Sequence, residues 1–348
     1  MSLVDHPDNP IPAGAHSGFV RTPDGVRIRY AHWPAVGKVR RGTVTILQGR
    51  AEFIEKYFEV VGDLRSRGFA VIAFDWRGQG GSDRLLRNAR KGHIRAFRQY
   101  REDLRAVLKT VSLAEYPGPH FALAHSTGGA VLLSDTPRLR TMLDRAVVCA
   151  PLIALPRGHW IPDVFGALRR VMQKTSFGLY QEPYARRRPG SPSEFVEKVL
   201  FPAVRLFALL GLARLYVPGG NGDILIPFED NRQTSDRVRF DRFNAVLEKA
   251  PELGVGAPTL GWLSAAAKCM VWFRAREAGP SVKLPCLVIA AGQDRIVSTP
   301  AIEDFTSRVK AAGYVEIAGA EHELLMERDR YRDRVFAAID AFIPGNDD

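Results

Sequence analysis

Cysteine is scarce: the 348 residues contain three, Cys149, Cys269 and Cys286. They lie far apart with no Cys-x-x-Cys pair, which excludes a thiolate zinc clamp and dithiol redox chemistry and leaves each as a small core residue. No secretory leader is expected from the first residues either. Met1 to Gly18 carries Asp5, Asp8 and three prolines where a leader needs a basic start and an apolar run, so the chain reads as cytoplasmic. No apolar stretch runs unbroken for the length of a membrane span. The most apolar one, Val199 to Val217, is interrupted by Pro202, Arg205 and Arg214, and an arginine at a bilayer centre costs about 2.5 to 3.5 kcal/mol. At ~100° per residue the two arginines fall on opposite sides of a helix, so the segment is not cleanly amphipathic and reads as a packed cap helix.

Nucleotide motifs are missing too. Gly78-Gln79-Gly80 begins like a dinucleotide fingerprint, but position 83 is Asp83 and no glycine completes it, and no Gly-Lys-Ser/Thr phosphate loop occurs. The net charge of +11 raises nucleic acid as a partner, yet no zinc finger, homeodomain-like or RNA motif accompanies it, so none is expected. The charge favours anionic partners, phospholipid surfaces among them. His6, His16, His32, His120 and His159 have no ligand partner at metal spacing, so neither a metal nor a cofactor is expected.

What is present is material for one large domain with an insertion: 46% hydrophobic and 25% charged residues, the averages of soluble globular proteins. Short apolar or β-branched runs recur at Thr43–Leu47, Ala70–Phe74, His120–Ala124, Arg145–Cys149 and Leu284–Ala290. They are apolar on both faces, as parallel strands covered by helices are, and the stretches 57–67 and 97–111 between them have helical spacing. The pattern predicts an α/β fold with a mostly parallel, doubly wound sheet. From 152 to 281 the alternation gives way to helix-like and irregular sequence, predicting a mainly helical cap inserted between core segments 1–151 and 282–348. A terminal helix is expected over 331–342.

After the strand His120–Ala124 come His125, Ser126, Thr127, Gly128 and Gly129. Small residues on both sides of a serine at a strand-to-helix turn are what a nucleophile elbow needs, because the strained turn has no room for side chains there. The bare pattern Ala/Gly-x-Ser-x-Gly occurs by chance in about one chain in four of this length, so the strand before and the helix after carry the discrimination; a tight packing turn is the alternative. The strand Leu284–Ala290 runs into Asp294, and Tyr314–Ile317 reads as a last strand followed by His322. A solvated loop aspartate is the alternative for Asp294. The order Ser126, Asp294, His322 is that of the α/β-hydrolase triad. Such a triad needs two backbone N–H donors for the oxyanion; Thr127 supplies one, and Arg50, in the turn after Thr43–Leu47, the other.

Gln48-Gly49-Arg50-Ala51-Glu52 with Lys56-Tyr57, then Asp75-Trp76-Arg77-Gly78-Gln79-Gly80-Gly81-Ser82, and the elbow Leu123-Ala124-His125-Ser126, resemble the bacterial lysophospholipase and monoacylglycerol lipase family. Arg84-Leu85-Leu86, Gly92-His93, Phe97, Tyr100 and Asp103-Leu104 look like its lysophospholipase branch, whose elbow also begins with Ala. The likeness covers most of 43–150, resumes at 255–262 and from 319 to 343, and leaves most of the cap poorly matched. Two positions depart: Gln48 precedes Gly49 where the family has His, and Thr127 follows the serine where Met is usual. Neither change removes a backbone donor. His125 and His93 are expected to be structural.

The resemblance implies a serine hydrolase cleaving the carboxylic ester of a lysophospholipid or monoacylglycerol. A peptidase of the same fold, or a ligand-binding protein retaining it, are the alternatives. Between Leu152 and Ser281 there are 18 Lys or Arg against 12 Asp or Glu, and Arg169, Arg170, Lys174 and Arg186 to Arg188 stand among apolar neighbours. That suits a lipid-like ester or peripheral contact with an anionic inner-membrane surface, or else a solvated cap face.

Overall fold

The structure, a computed structural model, describes residues 2–156, 191–193 and 196–344. One eight-stranded sheet organises it, with β1 (His16–Arg21), β2 (Arg27–Trp33), β3 (Gly42–Leu47), β4 (Phe69–Phe74), β5 (His120–His125), β6 (Arg145–Cys149), β7 (Cys286–Ala291) and β8 (Ala312–Ile317). Their order across the sheet is β1-β2-β4-β3-β5-β6-β7-β8. The six strands from β3 to β8 run parallel, and β1 and β2 are antiparallel additions on the β4 side.

Every residue of β4, β5 and β7 is buried, which is why these segments read as unbroken apolar runs rather than alternating ones. Helices Phe58–Ser66, Phe97–Val107, Thr299–Ser307 and Asp329–Phe342 alternate with the strands. This is the doubly wound architecture the sequence predicts. Each parallel strand begins or ends within two residues of its expected bounds. Helix 97–111 is interrupted: it is α-helical to Val107, then widens into a π-turn over Leu108–Ser112.

The hairpin β1–β2 has no counterpart in the sequence reading. Its turn chemistry is present, Thr22-Pro23-Asp24-Gly25, with Gly25 at φ 84° as a tight hairpin demands. Charge hides the strand: Arg29 points inward and is fully buried, donating to both oxygens of Glu55 and to Asp75.

Between β6 and β7 the chain leaves the sheet and forms helices Phe201–Leu209, Arg237–Lys249 and Leu260–Phe273. The last is N-capped by Thr259, whose hydroxyl accepts from Trp262 N–H, and is buried on nearly all sides in the same hydrophobic core as the sheet. The first, inside the stretch 199–217, packs only one face: Phe201 and Val204 are buried, whereas Leu206, Phe207, Leu209 and Leu210 are exposed. The basic group from Arg169 to Arg188 and His159 lie outside the described residues.

Candidate active site

The sheet reverses its winding between β3 and β5, because β3 connects to β4 on one side and β5 lies on the other. In open α/β sheets the crevice beyond the carboxyl ends of such strands is where ligands bind. The register sets what meets there. Ala124 lies opposite both Leu47 and Val148, so Gln48, Ser126 and Ala150 leave three neighbouring strands close together.

Ser126 follows β5 directly and precedes the helix Thr127–Leu133, with φ 49° and ψ −111°. Ala51 (φ 61°) and Ala150 (φ 41°) are the other described non-glycine residues at positive φ. The three follow β3, β5 and β6, so left-handed strain is concentrated on one rim. Hydrogen bonds lock the elbow: Ser126 N–H donates to Cys149 O at 3.0 Å, and Ser126 O accepts from Leu152 N–H at 3.0 Å. Gly128 is required by contact, since a Cβ there would lie 2.4 Å from Leu47 O and 2.6 Å from Gln48 O. Gly129 faces Val148 in the same way, at 2.7 Å.

Asp294 stands on the loop after β7. Its Oδ1 accepts from the N–H groups of Ile296 (2.8 Å) and Val297 (2.9 Å), while its Oδ2 accepts from His322 Nδ1 at 2.7 Å. His322 is on the loop after β8, and both side chains are buried. Burial alone would lower the histidine's pKa; the Asp294 carboxylate beside it, with Glu323 and Glu52 further off, reverses this and holds it above the ordinary imidazole value.

The turn after β3 leaves one amide open. Gly49 N–H donates to Glu52 Oε2 and Ala51 N–H to Gln79 Oε1 at 3.2 Å, whereas Arg50 N–H has no acceptor among the described residues. Thr127 N–H, at the first position of its helix, has no intrahelical acceptor either. Gln48, where the resemblance leads one to expect His, accepts from Trp76 Nε1 at 2.8 Å through its carbonyl.

Sequence reasoning missed what lies beneath. His125 Nδ1 meets Glu52 Oε1 at 2.9 Å and its Nε2 meets His322 O at 3.3 Å. Lys56 Nζ donates to Glu52 Oε1 at 3.1 Å and to Glu323 Oε1, and Tyr57 OH donates to Glu52 Oε2 at 2.6 Å. All of these side chains are buried. Burial would raise the Glu52 pKa, but the charges of Lys56 and His125 hold it well below the carboxylate range. The network ties the turn after β3 to the loop that carries His322. Its one sequence signal was the pair Glu52 and Lys56 four residues apart. His93 bonds Thr259 Oγ1 at 2.9 Å, away from this cluster. Among the described residues no group of three or more His, Cys, Asp or Glu is placed to hold a metal ion.

The comparisons with known proteins agree on the family. The sequence model of the family described as "Serine aminopeptidase, S33" matches residues 38–329. The chain is 28% identical to "Lysophospholipase L2" of Escherichia coli K12 over 331 residues, covering 91% of this chain and 84% of that one. It is 25% identical to "Probable lysophospholipase L2" of Haemophilus influenzae over 319 residues, covering 91% and 88%. Among solved structures, a soluble variant of monoglyceride lipase from Saccharomyces cerevisiae superposes with TM-score 0.66 at 16% identity, covering 95% of this chain and 96% of the other. A carboxyl esterase from Bacillus coagulans does so with TM-score 0.68 at 16% identity, covering 96% and 100%. These two likenesses speak for the fold, and the family match over most of the chain decides membership: this protein belongs to the serine aminopeptidase S33 family and has the α/β-hydrolase fold.

Proposed function

We propose that the protein is a serine hydrolase that cleaves the carboxylic ester of a lysophospholipid or monoacylglycerol through an acyl-enzyme, with Ser126 as nucleophile, His322 as base and Asp294 as its orienting acid. The observation that carries the reading is the 2.7 Å bond from His322 Nδ1 to Asp294 Oδ2, on loops beside a serine held at φ 49° on a strand-to-helix elbow. That bond fixes the tautomer, leaving Nε2 to take the proton of Ser126 Oγ as it attacks the ester carbonyl. The N–H groups of Arg50 and Thr127 receive the oxyanion. His322 then returns the proton to the departing alcohol, and water, activated by the same nitrogen, hydrolyses the acyl-enzyme. The described part of segment 152–281 is read as the cap of this site.

An aminopeptidase would need a free carboxylate cluster for the substrate amine. Among the described residues, the glutamates that act on His322, Glu52 and Glu323, are committed to Lys56 and His125, which favours the ester reading. Fluorophosphonate labelling of the wild type and Ser126→Ala, followed by hydrolysis of p-nitrophenyl esters, lysophospholipids, monoacylglycerols and aminoacyl amides, tests it. Labelling lost in Ser126→Ala with lysolipids or monoacylglycerols cleaved best is the expected result; preferential amide cleavage, or no labelling, overturns it.

The protein also meets its substrate at an anionic membrane surface. Leu209 is 78% and Leu210 66% exposed, with Leu206, Phe207, Leu212 and Leu215 beside them and Arg205 and Arg214 flanking. An apolar ridge bordered by cations is suited to a phospholipid interface. No helix among the described residues is long and apolar enough to cross a membrane. Leu209→Glu/Leu210→Glu should lower sedimentation with phosphatidylglycerol vesicles; unchanged sedimentation overturns this part.

A further inference from the structure

Between Asp83 and Glu102 the chain carries seven arginines and lysines and no acid. Several of these cations line a seam between this segment and residues 214 and 251–262. Arg84 Nη2 donates to Glu252 O at 2.7 Å, Arg90 Nη1 to Pro251 O, and Lys91 Nζ to Arg214 O at 3.1 Å. From the opposite side Arg50 enters the seam, donating Nη2 to Gly256 O, with its guanidinium carbon 5.4 Å from the centre of the Trp262 ring. The acceptors of all four are backbone carbonyls or rings; no carboxylate among the described residues pairs with any of them.

Arg50 is the telling case. Its Nε is buried without a hydrogen-bond partner. Two arginines of the core are treated differently: Arg29 has Glu55 and Asp75, and Arg77 has Asp24 and Asp103. A desolvated guanidinium without a counter-anion is costly. An anion brought by a ligand would remove that cost. Burial pulls the Arg50 pKa down to about 10, so the side chain is still a cation at neutral pH.

Its position identifies the ligand class. The backbone N–H of Arg50 is the amide proposed to receive the substrate's oxyanion, so its side chain is rooted beside the reacting ester. In a lysophospholipid the leaving alcohol carries a phosphodiester on the same three-carbon glycerol unit; in a monoacylglycerol that position is a neutral hydroxyl. Resting on the ester-hydrolase reading above, we infer that the Arg50 guanidinium, in the field of Arg90 and Lys91, binds the phosphate of a glycerophospho leaving group and selects lysophospholipid over monoacylglycerol. A planar guanidinium can present two parallel N–H donors to phosphate oxygens.

The test compares kcat/KM for a lysophosphatidylglycerol and a monoacylglycerol of the same acyl chain in wild type, Arg50→Lys and Arg50→Met. Removing a charge-assisted contact should lower the lysophospholipid value on the order of 10- to 100-fold more than the monoacylglycerol value, chiefly through KM, and Arg50→Lys should recover part of the difference. Equal losses on both substrates overturn the proposal and make Arg50 a clamp on Gly256. A second measurement needs no variant: glycerophosphoglycerol should competitively inhibit monoacylglycerol hydrolysis by wild type, and do so better than inorganic phosphate. Phosphate inhibiting equally well, or neither inhibiting, overturns the lipid assignment. The two readings fail separately, because loss of fluorophosphonate labelling in Ser126→Ala reports on the ester-hydrolase reading whatever Arg50 does.

Discussion

The ring of His125 packs 4.8 Å, centre to centre, from the ring of His322, and its Nε2 reaches the His322 carbonyl while its Nδ1 faces Glu52. The residue before the candidate nucleophile thus supports the candidate base from below. Substituting Glu52 by Ala strips Lys56, His125 and Tyr57 of a shared buried acceptor. Breaking a buried ion pair from one side costs about 3 to 5 kcal/mol. Glu52→Ala should lower the urea midpoint accordingly and reduce kcat in the fraction that folds; Tyr57→Phe, which removes one hydrogen bond, should cost about 1 kcal/mol.

Lys56 and Glu323 are a second pair in that network. Lys56→Met strands both Glu323 and Glu52, and Glu323→Leu leaves Lys56 with Glu52 alone, whereas the double variant removes the Lys56–Glu323 pair together and leaves Glu52 to Tyr57 and His125. Its destabilisation in urea should therefore be smaller than the sum of the two single ones by at least about 1 kcal/mol. Additive effects would show that the two side chains do not interact.

The pH dependence follows from His322. Its folded-state pKa lies above the ordinary imidazole value of 6.5, and catalysis needs the neutral ring. The rising limb of kcat/KM should lie above pH 6.5, and in Asp294→Asn it should move down while the plateau falls on the order of 10³- to 10⁴-fold. Stability runs the other way. A raised folded-state pKa contributes stability that is fully present below the unfolded value and is lost as pH rises through the folded one. Over the window in which activity appears, the His322 contribution to stability should fade, and thermal melts of wild type against His322→Ala at pH 5.5 and 8.5 read the difference.

Gly128 and Gly62 make a paired test of close approach. A Cβ on Gly128 meets the backbone oxygens of Leu47 and Gln48, which cannot swing away, whereas one on Gly62, inside the helix Phe58–Ser66, meets nothing within 4 Å. Gly128→Ala should destabilise by about 3 kcal/mol and abolish activity. Gly62→Ala should stabilise by about 0.5 to 1 kcal/mol and leave turnover alone. Similar midpoints for the two variants would refute the packing account.

The parallel strands β3 to β7 were legible because they are buried on both faces, and the positions of Ser126, Asp294 and His322 were legible because the residues that leave the carboxyl ends of such strands share one crevice. Two things were not. The hairpin β1–β2 carries Arg29 inward, and nothing in a one-dimensional pattern separates a buried arginine with two carboxylates from a solvated one. The Glu52, Lys56 and Glu323 cluster fails for the same reason: single acids and a lysine, spread from 52 to 323, read as surface until the fold buries them together. The helix 201–209 errs in the opposite direction: it reads as a packed helix, but beside buried Phe201 and Val204 its Leu206, Phe207 and Leu209 face outward.

Ala51, Ser126 and Ala150 hold the sheet's rim in conformations that the same residues would leave if released. Each is held in place by its neighbours: Ser126 by the Cys149 carbonyl, Ala51 by Gln79, and Ala150 by the Ile289 carbonyl. Loosening any one of three adjacent strands removes part of what restrains the others, so this edge should relax as a unit before the rest of the sheet separates. Inactivation and unfolding would then be different events, with hydrolysis disappearing at a urea concentration where the far-ultraviolet circular dichroism of the helices and strands is still intact.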